Sequence, residues 1–289
     1  MTDLDQTFEL QHFDAVLGAE ITGLDLSRGL SDASFDAVEA AFDAHSVIVI
    51  RDQSLTPGQQ LAFAARFGEL EINAFDGYAL KDNPGVLRLS NMLRDGRNIG
   101  YADAGSHWHS DMSYTATPPR CTMLHALKVP HRDGQALGDT LFAGVAAAHD
   151  ALPAQTRRAI GGLRAVHRFS AKERGFNKPV VLTQDQIDRF PDVTHPVVRT
   201  HPRTGRKGLY VSLGECIAID GMADDEAQAL ISELALHIRR KPFIYRHRWR
   251  VGDLLMWDNC AVQHRAIKDY ELPEHRLMHR VTVNGSAPF

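Results

Sequence analysis

Residues 107–111 are His107-Trp108-His109-Ser110-Asp111, a stretch that places two histidines and an aspartate at alternate positions. Side chains alternate across a β-strand with a period of two, so His109 and Asp111 share a face when the chain is extended. The flanking residues Trp108 and Ser110 also alternate in character, which favours a strand. The stretch therefore predicts one strand of a β-rich fold, with an imidazole and a carboxylate side by side.

A second polar segment lies far along the chain. Trp257-Asp258-Asn259 ends a predicted strand, and the polar turn that follows aims His264 inward. A nitrogen ligand from this distant strand completes a set of two imidazoles and one carboxylate. That set suits Fe(II) and leaves coordination positions open for a chelating cosubstrate and for oxygen.

Two arginines follow the second segment at a spacing of four. Arg276 and Arg280 share one face of the last predicted strand with Met278 and Thr282. Arginines that point into a barrel are costly unless they meet an anion, so the pattern predicts a fixed cationic site for a dicarboxylate. The alternative is that both arginines are surface charges on a half-exposed strand.

His107 permits a different metal site. It shares the predicted face of His109 and Asp111, and His-x-His-x-Asp also begins the zinc motif of metallo-β-lactamase-type hydrolases. That motif continues with a histidine, whereas Met112 follows here. A zinc hydrolase that uses His107, His109 and Asp111 is therefore kept as an alternative.

The strand and helix signals along the rest of the sequence predict one mainly β domain over residues 1–289, with flanking helices. The predicted strands lack a βαβ rhythm, which indicates an antiparallel barrel or jelly roll. Helical spacing or capping signals predict helices after Ser31, after Thr56, at 144–151, at 154–160 and after residue 223. Two irregular insertions are expected, near 71–106 and 168–192. The first precedes the metal motif directly, so we expect it to form a lid.

Composition narrows the class of protein further. A net charge of −4 provides no basic face for nucleic acid. The start of the sequence has no signal-peptide pattern, and no apolar run is long enough to span a membrane. Three widely spaced cysteines fit neither a disulfide framework nor a structural zinc site, so we expect a cytoplasmic protein. A homo-oligomer is left open.

At several separate segments the chain resembles one family, the iron(II)- and 2-oxoglutarate-dependent dioxygenases related to taurine dioxygenase and phenoxyacetate dioxygenase. The matching segments are 17–23 (LGAEITG), 66–70 (RFGEL), 108–111 (WHSD), 138–140 (GDT), 195–202 (HPVVRTHP), 257–259 (WDN) with His264, and 276–280 (RLMHR). The resemblance implies a double-stranded β-helix, that is, a jelly roll. It also implies Fe(II) as the metal, 2-oxoglutarate as cosubstrate and O2 as oxidant, with release of succinate and CO2.

Residue roles also follow from this resemblance. It implies that His109, Asp111 and His264 are the iron ligands. Thr140 and Arg276 would hold the distal carboxylate of 2-oxoglutarate. Arg280 would lie near the proximal carboxylate and reach an acidic group of the substrate.

The resemblance is weakest for the prime substrate. Taurine-specific relatives carry His and Tyr at the places that hold Asn73 and Asp76 here, and Glu215 replaces an expected aromatic residue. Asn73, Arg280 and Glu215 are the candidate substrate residues, although Glu215 is expected to be a solvated loop charge more readily than a partner for an amine. We expect a small organic anion, such as an alkyl sulfonate, sulfate ester or aryloxyalkanoate. A non-catalytic jelly roll that binds anions is the remaining alternative.

Overall fold

The computed structural model describes residues 5–72, 76–102, 105–169 and 184–289. The α-helices are α1 (Asp32–His45), α2 (Pro57–Ala64), α3 (Val145–Asp150), α4 (Ala154–Ile160), α5 (Gln184–Arg189) and α6 (Asp224–Ile238). Short 3-10 helices cover Leu26–Arg28, Ala65–Phe67, Asp76–Tyr78 and Lys241–Phe243. The strands are β1 (Glu9–His12), β2 (Ala19–Thr22), β3 (Val47–Ile50), β4 (Ala79–Leu80), β5 (Asn83–Ser90), β6 (Leu93–Arg94), β7 (Arg97–Asn98), β8 (Cys121–Lys128), β9 (His131–Arg132), β10 (Gln135–Ala136), β11 (Thr140–Gly144), β12 (Arg164–His167), β13 (Val193–Pro196), β14 (Val198–Thr200), β15 (Lys207–Leu209), β16 (Cys216–Ile219), β17 (Ile244–His247), β18 (Leu254–Asp258), β19 (Val262–Ala266) and β20 (Leu277–Val283).

The largest sheet has eight strands in the order β1-β2-β3-β18-β8-β20-β5-β4. Its pairs are antiparallel except for β2 with β3, which run parallel. The two faces of this sheet bury different cores because side chains alternate along each strand. In β3, Ile48 and Ile50 pack under α1 and α2, whereas Val47 and Val49 point to the opposite face.

A three-stranded sheet, β17-β11-β19, packs on that opposite face. Phe142 of β11 and Val262 of β19 share a core with Leu124, Leu255 and Met278 of the large sheet. A third core lies beyond this sheet, where α3 and α6 pack near the sheet β13-β12-β16. The fold is thus mainly β with flanking helices, and two sheets face each other across a shared interior.

Several local predictions are confirmed. Ser31 caps α1, and Thr56 with Gln59 forms the predicted capping box of α2. All residues of β3 are fully buried, as its run of branched apolar residues predicts. Within the described residues, no helix combines the length and apolar character that a membrane crossing requires.

Two strand predictions are displaced. The strand expected at 209–212 overlaps β15 only at Leu209, since β15 covers Lys207–Leu209 and residues 210–212 are not assigned to a strand. The strand expected at 243–249 is β17, which begins after a 3-10 turn at Lys241–Phe243 and ends at His247.

The structure describes part of each expected insertion. Within 71–106, β5 belongs to the large sheet and the hairpin β6–β7 follows it. Residues 73–75 and 103–104 lie outside the described part, so the lid stays a prediction. Within 168–192 the structure describes α5, and residues 170–183 lie outside the described part.

Candidate metal centre and anion pocket

The stretch 107–111 meets β19 at one point. His109 and His264 form an isolated antiparallel bridge, in which each N–H donates to the carbonyl of the other residue at 3.1 and 2.8 Å. The predicted strand is therefore wrong in extent: Asp111 already lies in a turn, and Met112 has a φ of 49°. Because the bridge aligns the two backbones, it sets the histidine side chains next to each other.

His109, Asp111 and His264, hereafter the triad, form a compact group of possible metal ligands. One ligand atom from each residue lies within 4.8 Å of the others. The Nε2 atoms of His109 and His264 are 3.6 and 3.9 Å from Oδ1 of Asp111. The sequence predicted this convergence, which joins a turn near residue 110 to a strand about 150 residues later.

Hydrogen bonds orient the first two members of the triad. His109 donates Nδ1–H to the carbonyl of His107 at 2.8 Å, which leaves Nε2 with a lone pair. Thr122 donates its hydroxyl to Oδ2 of Asp111 at 2.7 Å, and Asn259 donates to Thr122 in turn. These partners fix one tautomer of His109 and turn Oδ1 of Asp111 towards the histidines.

The charges at the triad favour an ionised carboxylate beside neutral imidazole. Burial opposes ionisation of Asp111, but Arg280, whose Nη2 lies 3.0 Å from Oδ1, and the two histidines hold the pKa of Asp111 well below its ordinary value. Burial and the neighbouring His109 hold the pKa of His264 well below its ordinary value. His109 behaves differently: burial lowers its pKa, but the hydrogen bond and charge of Asp111 outweigh burial and raise it.

His107 does not join the triad. Its Nε2–H donates to Oε1 of Glu215 at 3.1 Å, and its ring stacks on that of His109. Glu215 is 3% exposed and also accepts the hydroxyl of Ser212. The expectation that Glu215 is a solvated loop charge is therefore wrong, because Glu215 is buried and accepts hydrogen bonds from His107, which is 108 residues earlier, and from Ser212, three residues before it. The zinc site built on His107 likewise finds no support in this geometry.

Arg276 forms the second feature of the site, a buried cation that pairs with no carboxylate among the described residues. Its Nη1 donates to the carbonyl of Gly138 at 2.5 Å, and its guanidinium lies 5.5 and 5.6 Å from the rings of Trp249 and Tyr270. Among the described residues no acidic side chain forms an ion pair with it. Burial lowers the pKa of Arg276, because it removes water from around the charged guanidinium. Such a group stabilises an anion brought into the pocket.

Thr140 lies in the same pocket. Its Oγ1 accepts the indole N–H of Trp249 at 3.1 Å, so the hydroxyl hydrogen remains available to a ligand. Trp249 is buried and contacts both Thr140 and Arg276, so it supports the two residues.

One cleft, with an empty volume of about 610 Å³, joins the triad to these residues. His109 and His264 line one part of it, and Thr140, Arg276 and Arg280 line the rest. The predicted face of β20 is confirmed: Arg276 and Arg280 face this cleft, whereas Val281 and Val283 pack into the core under α1 and α2. Asn73 lies outside the described residues, and the side chain of Asp76 is likewise not described.

The donor set fits Fe(II). A neutral imidazole, a second imidazole with its Nδ1–H tied to a carbonyl, and an ionised carboxylate provide the mixed nitrogen and oxygen ligands that suit this metal. The open cleft beside them leaves room for further ligands. Thr122 and Asn259, which support the carboxylate, were not predicted, since no spacing in the sequence connects them to Asp111.

A second group of possible ligands consists of His201, Asp258 and Cys260, all buried. His201 donates Nε2–H to Asp258 at 2.8 Å, and its Nδ1 accepts the backbone N–H groups of Arg203 and Thr204 at 3.1 Å each. Both ring nitrogens are thus occupied. This agrees with the prediction that His201 is a turn residue.

Curated proteins similar to this chain are 2-oxoglutarate-dependent dioxygenases. The chain is 34% identical over 287 residues to an alpha-ketoglutarate-dependent 2,4-dichlorophenoxyacetate dioxygenase of Cupriavidus pinatubonensis, covering 94% of this chain and 96% of the relative. It is 32% identical over 284 residues to an alpha-ketoglutarate-dependent sulfate ester dioxygenase of Pseudomonas putida, covering 94% and 88%.

Solved structures show the same similarity. The crystal structure of AAD-2 in complex with Mn(II) and N-oxalylglycine matches with a TM-score of 0.84 and 32% identity, covering 98% of each chain. The model of the taurine catabolism dioxygenase TauD, TfdA family matches residues 6–282. A family match of this extent, together with relatives this similar over nearly the whole chain, shows that the chain belongs to the taurine catabolism dioxygenase TauD, TfdA family.

Proposed function

We propose that this protein is an Fe(II)- and 2-oxoglutarate-dependent dioxygenase that hydroxylates a small organic anion. The observation that carries the proposal is the shared cleft, which places two imidazoles and a carboxylate beside a buried arginine that no carboxylate of the described segments pairs with. The family uses Fe(II), 2-oxoglutarate and O2, and its named relatives are 2-oxoglutarate-dependent oxygenases.

The proposed fold is a single double-stranded β-helix domain, that is, a jelly roll. The two sheets that face each other across the cleft support it, as do the similar structures that cover 98% of the chain. A cytoplasmic location is proposed with it, because the buried cysteines Cys121, Cys216 and Cys260 are all free thiols.

The triad is the proposed iron site. His109 and His264 would bind through imidazole nitrogen and Asp111 through Oδ1, the oxygen that lies near both histidines, while Thr122 holds Oδ2. When bound, iron would let O2 oxidise 2-oxoglutarate to succinate and CO2, with one oxygen atom going to succinate and the other to a substrate C–H bond as a hydroxyl group. The protein's own contribution is to fix the ligands, place the C–H bond and exclude water.

Arg276 and Thr140 are the proposed partners of the distal carboxylate of 2-oxoglutarate. The guanidinium is held by Gly138, Trp249 and Tyr270, so little side-chain entropy remains to be lost on binding. Thr140 is held by Trp249 on the same side. A planar guanidinium matches a carboxylate with two parallel hydrogen bonds, which gives the pocket its preference for a dicarboxylate.

Arg280 is the proposed partner of the proximal carboxylate and of the acidic group of the substrate. Its guanidinium lies against Asp111 and is steadied by Thr282 at 3.2 Å, so an anion that it binds is held beside the metal. Asn73 remains a proposed substrate residue. Glu215 is a weaker candidate than the sequence suggested, because both of its carboxylate oxygens already have partners.

The proposed substrates are alkyl sulfonates, sulfate esters and aryloxyalkanoates. The names of similar proteins include 2,4-dichlorophenoxyacetate and sulfate ester dioxygenases, whose substrates are small anions. Hydroxylation at the carbon beside the heteroatom forms an unstable product that collapses to a carbonyl compound and the leaving group.

Succinate release tests the proposal. The purified protein is incubated with Fe(II), 2-oxoglutarate, ascorbate and a panel of sulfonates, sulfate esters, aryloxy acids and amino acids. We expect at least one anionic compound to stimulate succinate formation that depends on iron and oxygen. Binding of anions without succinate from any compound would instead indicate a non-catalytic binding protein.

A further inference from the structure

A buried carboxylate–histidine pair, Glu215 and His107, lies next to the triad. Glu215 is 3% exposed, and its two oxygens accept the Nε2–H of His107 at 3.1 Å and the hydroxyl of Ser212. Burying a carboxylate is costly unless hydrogen bonds satisfy it, and here both oxygens are satisfied. Glu215 thereby fixes the orientation of the His107 ring.

His107 contacts the triad in two ways. Its carbonyl accepts Nδ1–H of His109 at 2.8 Å, and its ring stacks on the His109 ring with centroids 4.6 Å apart and planes inclined by 24°. The ring of His264 also lies close to that of His109, with centroids 4.2 Å apart. The His109 ring thus contacts two other imidazoles.

The same closeness makes His107 a potential competitor for the metal. An imidazole two residues from one ligand and stacked on it can add a third nitrogen to the site. A third imidazole would occupy a position that a 2-oxoglutarate oxygen needs. In this structure Nε2 of His107 is engaged in a hydrogen bond to Glu215.

We propose that Glu215 is a positioning residue that holds His107 against His109 and keeps the His107 imidazole from binding the metal. This inference rests on the proposed function, because it concerns which coordination positions stay open for 2-oxoglutarate. It assigns Glu215 to the metal site as a support and not to recognition of the substrate.

The experiment compares Glu215→Met, which fills similar space without the hydrogen bond, with Glu215→Gln, whose amide oxygen still accepts from His107. Co(II) absorption spectra report the ligand set without turnover, and anaerobic titration gives the affinity for 2-oxoglutarate. We expect Glu215→Met to change the Co(II) spectrum and to weaken 2-oxoglutarate binding about 10–100-fold, as for other residues that support metal ligands. We expect Glu215→Gln to resemble the wild type.

Replacing His107 separates this inference from simple loss of packing. Phenylalanine keeps a ring against His109 but carries no nitrogen, so Glu215→Met/His107→Phe should recover the wild-type spectrum and 2-oxoglutarate affinity. His107→Phe alone should also retain both, which keeps the test available if Glu215→Met does not fold. His201→Gln is the matched control, since it disrupts another buried histidine–carboxylate pair away from the triad.

The proposal is wrong if Glu215→Met matches the wild type in both measurements, or if the double variant does not recover. It is also wrong if His107→Phe loses Co(II), or if His201→Gln shows the same defect as Glu215→Met. Failure of the proposed function looks different: the wild type would then release no succinate, whatever the Co(II) spectra of these variants show.

Discussion

The triad and the group His201, Asp258 and Cys260 contain similar side chains but differ in where their hydrogen bonds go. In the triad, one nitrogen of His109 is tied to a carbonyl and the other points at Asp111. In the second group both nitrogens of His201 are occupied. Proximity of ligand atoms is common to both, so it does not identify a metal site by itself.

The charged residues around the two groups also differ. The cleft beside the triad contains Arg276, a buried cation with no carboxylate partner among the described residues. The cleft beside His201 contains Arg206, which pairs with Asp150 at 3.3 Å. Burial and the charge of Asp258 raise the pKa of the Cys260 thiol, which therefore stays protonated and is a poor ligand. The second group is a structural hydrogen-bonded cluster, whereas the first group can bind a metal next to an anion.

The largest expected difference between the groups is their dependence on a carboxylate for metal binding. Asp111→Ala should reduce Co(II) or Fe(II) affinity by more than about 100-fold, since it removes a ligand and not merely a supporting residue. Calorimetric titration measures this loss. Asp258→Asn is the control, and equal losses in the two variants would erase the distinction drawn between the groups.

The next largest effect concerns the affinity for 2-oxoglutarate, which we propose binds only in the cleft beside the triad. Arg276→Ala should weaken 2-oxoglutarate binding by about 2–5 kcal/mol, which is typical of truncating one partner of a buried charged contact. Arg276→Lys should recover only part of the loss, because an ammonium lacks the planar fork. Equal 2-oxoglutarate affinity in the wild type and Arg276→Ala, measured anaerobically with Fe(II), would contradict this role.

A smaller effect is expected from the support of Asp111. Thr122→Val keeps the shape of the side chain but removes the hydroxyl that donates to Oδ2. We expect metal affinity to fall about 10-fold, at the lower end of effects seen for residues that orient ligands. An unchanged affinity in the same titration would show that the hydrogen bond does not orient the carboxylate.

The smallest effect on metal binding should come from His201. His201→Gln replaces the imidazole N–H that reaches Asp258 with an amide N–H and removes the Nδ1 that accepts from Arg203 and Thr204, so the free energy of unfolding should fall by about 1–3 kcal/mol. Metal affinity should remain that of the wild type. Chemical denaturation measures the free energy of unfolding, and metal titration on the same sample measures the metal affinity. Weakened metal binding in a folded His201→Gln protein would show that the second group contributes to metal binding.

Signals confined to a short stretch of chain predicted local structure well. The capping box at Thr56, the branched apolar run of β3 and the alternation in β20 each determine their element through neighbouring residues. The triad itself was also predicted, because residue types and family resemblance both indicate His109, Asp111 and His264. The extent of the strand at 107–111 was not, since a turn begins at Asp111.

Contacts between distant segments were the part that the sequence did not reveal. Glu215 meets His107 across 108 residues, and Trp249 meets Thr140 across 109. No periodicity links such pairs, and a carboxylate in a connecting segment is usually solvated. Their partners depend on how the sheets pack, so the supporting residues of the site become visible only in the folded structure.

The visible charge-transfer absorption of the anaerobic Fe(II)–2-oxoglutarate complex tests the central claim most directly. It requires a metal that the triad holds and a cosubstrate that binds beside it. We expect the band in the wild type and in His201→Gln, and its absence in His264→Ala at the same concentrations. No band in the wild type, or an undiminished band in His264→Ala, would contradict the assignment of this cleft as the iron and 2-oxoglutarate site.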